Sequence, residues 1–161
     1  MIALGRVLVA VDFSPPSDVA LKYGRALARA FGATLHVLHV SENFFLHPVA
    51  GDPYALRAAA LQHVADRLTD HDRSVLHAHT VVEIADAPAD AIVAYAKTHA
   101  IDLIVMGTHG RSAVSQVLVG SVAERVVRTA HCPVLTVRHP EREFVFDEVS
   151  HDRVEESSCR H

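Results

Sequence analysis

The run Arg6-Val-Leu-Val-Ala-Val-Asp12 has no polar residue between its ends. A strand with one wet face alternates apolar and polar side chains. A short valine-rich run without alternation is buried on both faces, and such strands belong to parallel sheets covered by helices. Further strand-like runs lie at 34–40, 77–84, 102–106 and 133–137, with helical segments between them. After Ser14-Pro-Pro-Ser-Asp18, which is helix-start chemistry, Ala20, Tyr23, Leu27, Ala30 and Phe31 recur at helical spacing. Gly32 stands where a helix C-cap belongs. A loop with Pro48, Gly51 and Pro53 precedes a second helix at 54–69, striped by Leu56, Ala60, Val64 and Leu68. Pro88 opens a third helix to about residue 99, with Ile92, Tyr95 and Ala96 inward, and 117–130 is mostly helical. The order βαβαβαβαβ predicts an α/β fold: one open parallel five-stranded sheet with helices on both faces.

A length of 161 residues suits one domain with a full core. The net charge of −4 comes from interspersed residues, with no basic stripe, so a nucleic-acid partner is not expected. No apolar run reaches the roughly 18 residues of a membrane helix. The first twelve residues lack a signal peptide's layout, and Cys132 and Cys159 form no disulfide framework. A cytoplasmic protein is expected. The composition turns acidic and polar after His139, which divides the chain into a domain at 1–139 and a tail at 140–161. Within the tail, Phe144 and Phe146 would share one face of an extended segment.

The informative segment is Gly107-Thr-His-Gly110-Arg-Ser-Ala-Val-Ser-Gln-Val-Leu-Val-Gly120-Ser121. It leaves a buried strand and enters a helix. Glycines admit tight turns and close approach of a ligand, and successive N–H groups near a helix N-terminus attract an anion. It is neither a Walker loop nor G-x-G-x-x-G. Two glycines alone would also suit a plain strand-to-helix turn. Asp12, read alone, would equally suit a helix cap or loop carboxylate.

The spacing Gly-x2-Gly-x9-Gly-Ser after a strand ending in Met106 resembles the ATP-binding signature of the universal stress proteins. Val-Leu-Val-Ala-Val-Asp12-Phe-Ser14 is similar to that family's first strand and acidic turn. Ser121-Val-Ala-Glu-Arg-Val-Val127, closing on His131-Cys-Pro-Val-Leu135, is similar to its last helix and strand. The resemblance covers about residues 4–138, with Asp86 where the family often has glycine.

The resemblance implies a Rossmann-like strand order 3-2-1-4-5, with a ligand crevice where the order reverses. It implies that Asp12 accepts hydrogen bonds from ribose and that Ala10 and Val11 line the base pocket. Val40 would pair with adenine through its backbone, and Met106 would touch the nucleoside. Gly107, Gly110, Gly120, Ser121 and Val122 would hold the phosphates, chiefly through N–H groups, with His109 and Arg111 nearby in the loop. ATP is the implied ligand, with or without magnesium. The implied role is a nucleotide-dependent regulator of the stress response; the alternative is a nucleotide-free, dimeric interaction scaffold. The strand at 133–137, from Pro133 to Val137, would be a sheet edge, and in the family that edge pairs two copies into a homodimer.

Catalytic residues are not expected, because no nucleophile–base set declares itself. At most, slow ATP hydrolysis or autophosphorylation is expected. Thirteen histidines suggest metal, but none shows zinc-site spacing. His36 and His39 should face opposite sides of their strand, His77 and His79 the same side, and the histidines are expected to be solvated.

Overall fold

A computed structural model of the protein describes residues 1–41, 52–108 and 120–138. The elements run β1 (Arg6–Val11), α1 (Pro15–Phe31), β2 (Thr34–Ser41), α2 (Pro53–Ala65), α3 (Asp70–Ser74), β3 (His79–Ile84), α4 (Pro88–Thr98), β4 (Leu103–Gly107), α5 (Ser121–Thr129) and β5 (Val134–Val137). The five strands form one parallel sheet in the order β3-β2-β1-β4-β5. The chain therefore winds outward in both directions from β1, and the reversal lies between β1 and β4.

Each face of the sheet has its own core, as the uninterrupted apolar runs require. Val7, Val9 and Val11 of β1 join Leu35 and Val37 against α1 and α2. Leu8 joins Leu38, Ile104 and Met106 against α4 and α5. Val7, Leu8 and Val9 are fully buried, so each contributes about 1.5–3 kcal/mol of transfer free energy. That exceeds the roughly 1 kcal/mol that strand propensities span, so burial decides the central strand. α1 lies close on β1 because Gly24 faces it: a Cβ there would stand 2.2 Å from Val9 Cγ2. Gly32 caps α1 at φ 65, where glycine carries no Cβ penalty.

Two expectations are corrected. The helix expected at 54–69 ends at Ala65, and the short α3 follows. Thr69 Oγ1 accepts the Asp72 N–H at 3.2 Å, and the Asp72 carboxylate accepts the Thr69 N–H at 2.8 Å. This reciprocal cap starts a new helix where the apolar stripe suggested continuation. His77 is not in β3; its φ of 46 breaks the extended backbone, so it does not share a strand face with His79. Asp86 is not among the non-glycine residues of positive φ, which in the described chain are Phe13, His77 and Ala100. The loop with Pro48 and Gly51, most of the segment at 117–120, and the tail with Phe144, Phe146 and Cys159 lie outside the described residues.

Among the described residues, no helix is long and apolar enough to cross a membrane.

Candidate functional site

β1 stops at Val11, paired with His39, while β2 continues to Ser41 along β3. On the other side, β4 runs on to Gly107. Separate connections leave β1 and β4 in opposite directions, so the sheet opens into a crevice at their C-terminal ends. The crevice holds a cavity of about 140 Å³. Six of the residues predicted for a ligand line it: Ala10, Val11, Asp12, Val40, Gly107 and Val122.

Asp12 follows the last residue of β1. Its Oδ1 accepts the Ser14 N–H at 3.1 Å and the Ser14 hydroxyl. Ser14 is buried, and its carbonyl accepts the N–H groups of Ser17 and Asp18, which opens α1. Asp12 thus braces the turn and lines the cavity at once. It is the charged residue among the described lining, and the remaining walls are largely apolar.

Gly107 is glycine for a reason the spacing did not show. A Cβ there would meet Pro16 Cβ at 2.8 Å and the Pro16 carbonyl carbon at 3.1 Å, so the start of α1 packs onto the end of β4. The Thr108 N–H donates to the Val137 carbonyl at 2.8 Å, and the Thr108 carbonyl accepts the Gly120 N–H. Thr108 at the end of β4 and Gly120 at the start of α5 are thus joined directly. The Gly120 N–H, expected to face a phosphate, is bonded to the Thr108 carbonyl in this structure. Gly120 is the N-cap of α5 without a side-chain cap bond, and Ser121 and Val122 form its first turn. Their N–H groups precede the first intrahelical donor, Glu124, which bonds Gly120 O at 2.9 Å.

Met106 is 5% exposed and packs with the core beneath the crevice, outside the cavity lining. Ser121 is exposed at the first turn of α5 and also lies outside that lining. His109, Gly110 and Arg111 are outside the described residues. Four lining residues were missed by sequence reasoning: Ser17, Leu38, Pro88 and Ile92. Pro88 and Ile92 come from the first half of α4, and Ser17 from the first turn of α1. Their signal was indirect, because helices that follow strands at a reversal must flank it.

The histidines were expected to be solvated, and His36 is not: it is 7% exposed. Its Nδ1 hydrogen-bonds the Tyr95 hydroxyl at 2.9 Å. His79 and His99 lie with ring centroids 5.0 and 6.1 Å from it. His39 faces the opposite side of β2, as predicted, and its Nδ1–H donates to the Val11 carbonyl at 2.8 Å. Among the described residues, no group of three or more histidine, cysteine or acidic side chains is placed to hold a metal ion.

Residues 4–138 match the model of the universal stress protein family. The chain belongs to that family. A universal stress protein of Thermus aquaticus is 37% identical over 138 residues, covering 82% of this chain and 97% of its own. One from Methanocaldococcus jannaschii is 31% identical over 150 residues, covering 86% and 84%. Among solved structures, a universal stress protein in complex with cAMP superposes with a TM-score of 0.60 at 27% identity, covering 85% of this chain and 98% of its own. The strand order and the two helical layers are those of this family's fold.

Proposed function

We propose that the crevice between β1 and β4 binds an adenine nucleotide, ATP in the first place, and that this family member acts as a nucleotide-dependent regulator rather than a turnover enzyme. The observation that carries this reading is the convergence of Ala10, Asp12, Val40, Gly107 and Val122, from four elements and one turn, on one cavity. Ala10, Leu38, Val40 and Ile92 offer an apolar slot for a flat base. Asp12 offers a carboxylate acceptor for ribose hydroxyls. The N–H groups of Ser121 and Val122 at the start of α5 offer donors to phosphate, which can carry magnesium. The cAMP-bound relative supports an adenine nucleotide of some kind.

Hydrolysis is expected to be slow. Asp12 is the carboxylate among the described lining residues, and the reading above places it on the ribose, away from the phosphate that water would attack.

One observation favours the scaffold reading. Gly107 is explained by Pro16, and the Gly120 N–H by Thr108, without any ligand. Calorimetric titration of the purified protein with ATP decides between the two. Binding is expected in the wild type. An Asp12→Asn variant keeps an acceptor for Ser14 but removes the charge; loss of a charge-assisted bond should weaken binding by roughly tenfold or more. Absence of ATP binding, with no nucleotide co-purifying, would leave the scaffold reading standing.

A further inference from the structure

The turn between β1 and α1 contains a non-glycine residue in a conformation glycine would adopt more cheaply. Phe13 has φ 66. Such a conformation is strained for a residue with a Cβ and persists only where its surroundings over-determine it. Phe13 sits directly between Asp12, which lines the cavity, and the buried Ser14.

The surroundings are specific. The Phe13 ring stacks on His63 of α2, with centroids 4.1 Å apart and planes at 9°. It meets His39 of β2 at 4.4 Å. The Arg67 guanidinium carbon lies 5.1 Å from the ring centroid. Arg67 is itself paired with Asp18 in the first turn of α1, and its carbonyl accepts a bond from Arg25 of the same helix. His39 also holds Val11 by its carbonyl. The residues on both sides of Asp12 are therefore fixed, Val11 through its backbone and Phe13 through its ring. Phe13 is half-buried and packs against the core beneath α1, and His63 is exposed, so the stack lies at the rim of that core.

We propose that Phe13 and His63 are positioning residues whose stack clamps the Asp12 turn and aims its carboxylate into the nucleotide crevice. The aim of the carboxylate matters only if the crevice binds nucleotide, so that half of the inference rests on the function proposed above. The clamp itself does not.

Two readouts separate them. The first needs no ligand: hydrogen exchange of the Ser14 N–H, the donor to Asp12 Oδ1. His63→Ala should speed it by up to roughly tenfold, the scale of one aromatic pair, and His63→Phe should restore it. The second is the ratio of ATP to 2′,3′-dideoxy-ATP affinity. It should fall toward one in His63→Ala and recover in His63→Phe, because a loosened carboxylate no longer reads the ribose hydroxyls. A mere loss of packing would lower the melting temperature without moving that ratio. Unchanged Ser14 exchange in His63→Ala overturns the clamp. Faster exchange with an unchanged ratio overturns the aiming role. If the wild type binds no nucleotide, the crevice reading fails, and Ser14 exchange alone decides the clamp.

Discussion

A methyl group on Gly107 would have to displace a proline ring, because Pro16 Cβ stands 2.8 Å from where it would go. Proline cannot swing aside as a long side chain can. Gly107→Ala is therefore expected to destabilise the protein by about 1–3 kcal/mol, the usual range for overpacking, as read from urea denaturation. The same push would move Pro16 and the turn behind it, so ATP affinity should fall with stability. A Gly107→Ala protein with wild-type stability would show that the contact is relaxed in solution. The glycine spacing was informative in one respect and silent in another. It located a strand end where a side chain does not fit. It could not say that the excluded volume belongs to α1, because Pro15 and Pro16 read only as a helix start. The end of a doubly buried run put Asp12 at the strand's mouth, but read alone it suited a turn cap as well, and in the structure it both braces Ser14 and lines the cavity.

α4 joins two places that the sequence kept apart. Its first half lines the crevice with Pro88 and Ile92, and its second half carries Tyr95, bonded to His36 and stacked at 3.8 Å on His99. Arg6 of β1 donates to the His99 carbonyl at 3.4 Å, and β3 contributes His79 and Glu83, the latter helping burial to push the Tyr95 phenol up. Burial, then His79, His99 and Arg6, lower His36 from 6.5 to about 4. The folded state therefore resists a proton that the unfolded chain accepts. The stability contributed by neutral His36 is complete above pH 6.5 and is lost as pH falls toward about 4, with a slope of up to about 1.4 kcal/mol per pH unit. Between pH 7.5 and 4, the wild-type melting temperature should fall relative to that of His36→Phe as the pH falls. Parallel curves would mean that His36 titrates normally. This cluster was invisible in the sequence because its members are distant along the chain and only β2–β3 pairing, His36 with His79, brings two of them together. The strands were legible, since burial on both faces leaves a run with few alternatives. α3 was not, because a five-residue helix has no periodicity to read and announces itself only by Thr69 and Asp72.

The sheet as a whole closes on itself nowhere, and its two edges are not alike. β3 is flanked by α2 and by the turn after α3. Among the described residues, β5 has four residues, pairs with β4 alone within the sheet, and leaves Val134, Leu135 and Thr136 only partly buried. Nearby α5 exposes Val127 to 51%. An edge strand carries a row of backbone donors and acceptors that a second strand can satisfy, and monomeric proteins commonly blunt such edges with charge, proline or a bulge. Pro133 stands just before β5 rather than within it, and the strand itself, Val-Leu-Thr-Val, holds no charge. A twofold axis beside β5 would pair it with its own copy, since an isologous interface presents one patch twice. We therefore expect a homodimer. Light scattering at micromolar concentration should return twice the 17.5 kDa mass of the chain. Thr136→Lys, which places a charge on the edge, should shift the equilibrium toward monomer while leaving the fold and the crevice, at the centre of the sheet, intact. A wild-type mass of one chain would mean that the β5 edge is met in some other way, and an unshifted Thr136→Lys dimer would move the interface away from β5.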